Sequence, residues 1–253
     1  MKNSMATQQF SRIDIEPLGG VAGDMMLAAL LHLGAARSPI DQALANLSEP
    51  GLRLDVEPVC VDGIDALHVR SIAAAKPQHG HQHLGDILAL IRKAALPADA
   101  EALARRIFAI LARAESHVHG GSSDTVGLHE VGELDSVFDV IGVSLAVASL
   151  GFPTFRCTPI PSGHGVAVTQ HGVLACPVPA VAAIVSEHGI PLVSVDVEGE
   201  TVTPTGAAVL AALAPTWLSS AAADPYDASG AGAGSRRFPG RANVVRVFGS
   251  RDA

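Results

Sequence analysis

Aromatic residues are scarce in this chain, at 4% of 253 residues, and charged residues make up only 17%. With one Trp, one Tyr and seven Phe, the core must be filled by Ala, Val, Leu and Gly, in a composition that is 48% hydrophobic and globular. Long apolar runs are missing as well. Val143 to Leu150, for example, is broken by serines and falls far short of the ~20 residues that a membrane-spanning helix needs. The N-terminal MKNSMATQQFSR has no apolar h-region, so no signal peptide is visible and a cytoplasmic location is expected. Cys60, Cys157 and Cys176 form neither a CxxC nor an even framework, which fits reduced thiols better than disulfides. Positive charge is also short: 17 basic against 25 acidic residues give a formal net charge of -8. An acidic chain without a Lys/Arg cluster is a poor nucleic-acid binder. Only Arg236, Arg237, Arg241 and Arg246 gather positive charge, and they read as a solvated surface strand, with a phosphate contact as the alternative.

What the chain does concentrate is side chains that ligate metals and move protons. His117 to Ile141, HVHGGSSDTVGLHEVGELDSVFDVI, holds His117, His119, His129, Glu130, Glu133, Asp124, Asp135 and Asp139. Imidazoles and carboxylates bind divalent transition metals and act as acids and bases. We read the segment as the chemical centre. A helix is expected from Asp135 to about Ser149, which puts Asp135 and Asp139 on one face; like charges there repel unless a cation or proton lies between them. The alternative is a capping Asp135 and a solvated Asp139. The adjacent His129-Glu130 pair offers nitrogen and oxygen donors to a borderline divalent metal. His79, His81 and His83 alternate in a second, Gly/Pro-broken loop at about 76–84. It either collects Ni2+, Cu2+ or Zn2+ or is a solvated linker.

The remaining pattern predicts a mixed α/β (α+β) fold, with short strands and helices interleaved around one core. Residues 1–11 read as a disordered leader and 12–249 as the domain. Arg12 to Glu16 alternates like a strand, and a glycine turn follows. A helix then runs from about Asp24 to Leu33, with Gly34 closing it. Gly20, Gly23 and the helix N-terminus offer backbone N–H groups that suit a phosphate, although the pattern is neither a Walker A motif nor a dinucleotide fingerprint. Asp24 is an N-cap or, with Asp14 across the turn, a metal holder. Further helices are expected over Ser38–Leu47, Leu84–Ala95, Asp99–Ser116 and Ala180–His188, with another ending at Leu213; a hairpin is expected over Leu52–Val61 and Ala66–Ile72. Thr203 and Thr205, before the helix that ends at Leu213, suit an anion or a cap. Thr158 to Gly165 is expected as a rigid loop, Gly230 to Arg237 as a flexible glycine run, and Asn243 to Phe248 as the last strand.

Several blocks, taken in order, resemble the LarC nickel-insertion family. They are GGVAGDMMLAALLHLG (19–34), AESHVHG (114–120), LHEVGELDSVFDVIG (128–142), the PSGHG and QHGVLACPVPA stretches (161–180), TVTPTGAAVL (201–210) and GAGAGSRRFPGRANVVRV (230–247). The resemblance implies insertion of Ni2+ into a dithiocarboxylated pyridinium mononucleotide, in a CTP-dependent reaction of the lyase class. By the resemblance His129, Glu130, Asp135 and Asp139 would be metal or Mg2+ ligands, and the 79–83 loop falls where members often carry a His-rich insertion. From the residues themselves nickel is expected to bind through His79, His81 and His83 and through the 117–139 cluster, with His117 and His119 included and His129, Glu130 and Asp135 in the chemistry. Asp24 and the glycine turn before it, with Gly20 and Gly23, would face a phosphate or metal; Thr203 and Thr205 are expected beside them as nucleotide contacts, with CTP and Mg2+ or Mn2+ as the companions. Two features depart from the family. Its members read Asp-Cys-Phe-Ser-Gly where this chain has Ile15-Glu16-Pro17-Leu18-Gly19. They also continue into a C-terminal domain, whose part a separately encoded partner is expected to supply here. Rival expectations are a nickel storage or delivery module without catalysis, and a Mg2+- or Mn2+-dependent phosphate-ester hydrolase. No nucleic-acid or membrane partner is expected, and a homo-oligomer is left open.

Overall fold

The computed structural model describes residues 9–49, 51–72, 82–122, 127–128, 134–169, 172–221 and 224–251. β1 (Arg12–Pro17) leads through a glycine turn into α1 (Gly23–Leu33), which Gly34 ends in the left-handed conformation. After α2 (Ser38–Leu47) comes a hairpin of β2 (Arg53–Val61) and β3 (Ile64–Ile72). β4 (Gln82–His83), α3 (Leu84–Ala94), α4 (Ala98–His119), β5 (Gly127–Leu128) and α5 (Leu134–Ser149) form the middle of the chain. Next are β6 (Thr154–Cys157), β7 (Ile160–His164), β8 (Val166–Thr169), β9 (Gly172–Ala175) and α6 (Pro179–His188). β10 (Leu192–Glu198), α7 (Pro204–Leu213), β11 (Thr216–Trp217), β12 (Ala228–Ala233) and β13 (Val244–Ser250) follow. This is the mixed α/β fold that the sequence predicts.

Seven strands make one mixed sheet in the order β11-β6-β1-β13-β12-β3-β2. β1 runs antiparallel to β13 and parallel to β6, so the first and last strands lie side by side. Helix α1 packs on β12, β3 and β13, and α5 packs on α1 from behind. A helix enclosed on both sides must be apolar nearly all round, and α1 is: Met25, Met26, Leu27, Ala28, Ala29, Leu30 and Leu33 are all buried. Its seating explains the Gly-Ala-Gly-Ala run. Side chains alternate between faces along a strand, so Gly230 and Gly232 lie under α1 while Ala231 and Ala233 join Ala66 and Val244 in a small cluster of their own. A Cβ at Gly232 would lie 1.9 Å from the Met25 carbonyl oxygen, and one at Gly230 would lie 2.4 Å from the Leu33 nitrogen. The segment expected as a flexible glycine run is therefore in large part an interior strand, and its glycines serve close approach rather than mobility.

Other expectations need adjustment. Residues 1–8 of the expected leader lie outside the described residues, whereas Phe10 is 3% exposed in the core and its N–H donates to the Leu150 carbonyl at 3.2 Å. β7 falls within the stretch expected as a loop. Pro159 and Pro161 mask it in sequence, because proline cannot donate to a ladder, yet it pairs in parallel with β10. α4 continues three residues past Ser116, to His119. Asp14 does not serve a metal with Asp24, because Arg156 claims it through two contacts of 2.7 and 2.6 Å. Glu16, two residues on, is neutralised by Arg246 at 2.6 Å. Both acids are buried, and a buried carboxylate persists as a charge only when paired.

Gly232→Ala is expected to destabilise the fold by ~3 kcal/mol or more, at the upper end of overpacking costs, because backbone atoms of α1 cannot step aside. Gly85→Ala, in a helix with open space around the site, is expected to be neutral or to stabilise by up to ~1 kcal/mol. Urea unfolding of the two variants checks the contrast.

Candidate functional site

The glycine turn before α1 is locked to the segment before α7. The Val21 N–H donates to the Thr201 carbonyl at 2.9 Å, and the Thr203 N–H donates to the Val21 carbonyl at 3.0 Å. Gly20 has φ +118°, and a Cβ there would lie 1.8 Å from the Thr201 oxygen; a Cβ at Gly206 would lie 2.4 Å from the Val21 oxygen. Glycine is needed at both positions for the two loops to touch. The starts of α1 and α7 consequently meet. Thr203 caps α7 by accepting the Gly206 N–H at 3.1 Å, and Thr205 is buried beside Gly23.

Helix α5 delivers an acid to the same point. Gly142 lets it close on α1, since a Cβ there would lie 2.6 Å from Leu27. One turn earlier stands Asp139, and a Cβ on Gly23 would lie 2.7 Å from its Oδ2. The Asp24 N–H donates to the Asp139 carboxylate. Asp24 is the second residue of α1 rather than its N-cap: that position is Ala22, and Asp24 Oδ1 accepts the Met25 N–H at 2.8 Å. Burial pushes the Asp139 carboxyl well above the usual carboxylate range, and the charges of Asp24 and Asp135 push it further. Burial also raises Asp24, against the opposing pull of the Met25 N–H and of His68. Two acids whose charge burial disfavours, set together at a helix N-terminus, are poised to share a cation or a proton. Asp135 is exposed and accepts a hydrogen bond from the Ser71 hydroxyl at 2.5 Å.

The histidines of the expected cluster lie elsewhere or outside the described residues. His119 Nε2 is 3.3 Å from Glu115 Oε2 on α4. His117 lines a cavity with Arg113 and Glu187, towards α6. Both stay on the helix surface because α4 does not end before them. His83 starts α3 in a capping box with Asp86. His79, His81, His129 and Glu130 lie outside the described residues. Among the described residues, no group of three or more His, Cys, Asp or Glu side chains is arranged to hold a metal.

Two adjoining cavities open beside the acid pair. The larger, about 440 Å³, lies between the β2–β3 hairpin and the segment that links β12 to β13, with Cys60, His68, Arg236, Arg237 and Arg241 in its lining. The smaller, about 230 Å³, shares the wall of Gly234, Ser235, Arg236, Phe238 and Asn243 and reaches Asp24 and Thr203. His68 Nε2 is shut off from solvent and has no hydrogen-bond partner among the described residues. Of the four arginines expected on a solvated strand, only Arg246 is on a strand, paired with Glu16; the other three line the larger cavity. Their spacing, three arginines within six residues that include Pro239 and Gly240, is a loop signal. His68 carries no such mark, because it sits in an ordinary alternating strand.

The glycine-locked start of α1, with Asp24 and Asp139, thus lies near a groove lined by Arg236, Arg237 and Arg241. The chain belongs to the nickel insertion protein family, which matches it over residues 13–253. A Rhodopirellula baltica protein named for nickel insertion is 40% identical over 231 residues, 91% of this chain and 57% of the relative. The pyridinium-3,5-bisthiocarboxylic acid mononucleotide nickel insertion protein of Staphylococcus epidermidis is 37% identical over 236 residues, 90% of this chain and 56% of the relative. The chain thus spans little more than half the length of the curated relatives it matches. No solved structure matches it. Among the described residues, no helix is long and apolar enough to cross a membrane.

Because the Asp139 carboxyl is raised well above the usual carboxylate range, the folded protein holds a proton there that the unfolded chain releases, and stability falls as pH rises above the unfolded carboxyl's pKa. Asp139→Asn removes this penalty. In the presence of EDTA the variant is expected to melt higher at neutral pH, by about 2–4 °C per kcal/mol of relieved repulsion. The advantage is expected to close below about pH 4; thermal unfolding across pH checks both.

Proposed function

We propose that this chain takes part in inserting nickel into a pyridinium dithiocarboxylate mononucleotide. The family match, together with the substrate printed in the name of the Staphylococcus epidermidis relatives, carries the reading. Because the chain spans little over half of those relatives, full insertion activity is proposed for it together with their C-terminal portion, on the same polypeptide or a separate one.

The geometry supports a division of labour. Nickel is the cargo, and the Asp24–Asp139 pair is its proposed resting point, where a divalent cation offsets the burial that raises both carboxyls and the repulsion that raises Asp139 further. Asp135 is one turn away on α5, and His129 and Glu130 lie a few residues before it in the chain. These three complete the ligand set and carry the proton transfers in this reading. His79, His81 and His83 gather Ni2+ upstream. Thiocarboxylate sulfurs are softer ligands than carboxylate or imidazole and suit a borderline metal better, so nickel moves from protein to nucleotide. The same oxygen pair also suits Mg2+ or Mn2+, the ions that would accompany CTP.

Calorimetric titration of Ni2+ tests the site. Asp139→Ala is expected to weaken binding roughly 10–100-fold, the scale on which metal sites respond to losing a supporting group. A His79/His81/His83 triple alanine variant is expected to lose weaker sites only. Nickel that binds equally well to Asp139→Ala and wild type contradicts the site, and Mg2+ or Mn2+ binding without nickel favours a phosphate-ester hydrolase instead.

A further inference from the structure

The larger cavity gathers positive charge in a chain whose formal net charge is -8. Three guanidinium groups border it against one carboxylate, Asp62. Two of the three are set in place by backbone: Arg241 Nη1 donates to the Leu18 carbonyl at 2.7 Å, and Arg236 Nη1 donates to the Glu200 carbonyl at 3.1 Å. Arg237 is exposed and makes no hydrogen bond or ion pair among the described residues, so its fork is free to take a ligand. At about 440 Å³, the volume falls in the ~300–1,000 Å³ range of small-molecule sites. The wall continues through Phe238 into the smaller cavity, where Asp24 stands. An elongated ligand can therefore reach the guanidinium groups at one end and Asp24 at the other.

We propose that this groove is a mononucleotide subsite, with the phosphate monoester bound by Arg237 and Arg241, the pyridinium ring along Phe238, and the ring's thiocarboxylates turned toward Asp24. The assignment rests on the nickel-insertion reading above and gives it a substrate orientation. A guanidinium fork matches phosphate geometry in a bidentate way that an ammonium cannot. The aromatic face of Phe238 attracts a cationic ring. His68 Nε2, buried without a hydrogen-bond partner among the described residues, offers a further polar contact inside the groove. This orientation sets the sulfur-bearing groups that receive nickel next to Asp24, one of the two acids where nickel is proposed to rest.

The probe is nicotinate mononucleotide, which keeps the pyridinium mononucleotide and one ring carboxylate, compared with its dephosphorylated nucleoside. Calorimetry on the full chain is expected to show at least roughly tenfold tighter binding of the mononucleotide, as a charge-assisted contact supplies. Arg237→Ala is expected to erase most of that difference and to leave the nucleoside affinity unchanged, with Arg237→Lys in between. Arg237 is exposed and has no hydrogen bond or ion pair to lose among the described residues, so circular dichroism of the variant is expected to match wild type. Equal affinity for the two probes overturns the proposal, as does an Arg237→Ala variant that binds like wild type. Displacement of the mononucleotide by CTP also overturns it, by assigning the arginines to a triphosphate. Nickel titrated into wild type without nucleotide tells the two readings apart. If nickel fails to bind while the phosphate preference holds, the insertion reading fails and the subsite survives; if nickel binds and the preference is absent, the subsite alone fails.

Discussion

Helix α1 lies so close to β12 that only hydrogen atoms fit at Gly230 and Gly232, and most of the molecule is arranged by that contact. The seating buries a helix that is apolar on nearly every side and fixes where its N-terminus points. A chain poor in aromatics can build a dense core this way, since small residues at the contacts let backbones approach and let Val, Leu and Ala fill the remainder. Gly142 repeats the device between α5 and α1, and Gly20 and Gly206 repeat it between the turn before α1 and the first turn of α7 with the segment before it.

The consequence for chemistry is that one helix start is surrounded by groups it would not otherwise meet. Asp139 comes from α5, Thr205 from α7, and Asp24 from α1 itself. None of these contacts is local in sequence. The energetic character of the point follows from crowding acids where burial already disfavours their charge. The neighbouring groove has the opposite sign. Carboxylates and guanidinium groups are thus held in neighbouring regions of the same surface.

Helices and hairpin were largely legible in the sequence because their signals are local: periodicity, turn dipeptides, and a glycine after the last turn of α1. The ordered motif blocks pointed to the family. What was hidden depends on partners far along the chain. Gly230 and Gly232 look like a flexible tether until α1 is laid over them, and β7 looks like a proline loop until β10 pairs with it. Asp139 was legible as a candidate, but on the face it shares with Asp135; its contact with Asp24, more than a hundred residues away, required the fold. Arg237 and Arg241 read as surface charge because nothing local reveals that the segment linking β12 to β13 folds over the β2–β3 hairpin.

The Asp24–Asp139 pair as the resting point of nickel is the central claim, and anomalous scattering measured at the nickel edge is its most direct test. Crystals of the chain grown with Ni2+ are expected to give a difference peak in contact with the carboxylates of Asp24 and Asp139. A peak confined to the histidines at 79–83, or no ordered peak on the chain, would contradict it.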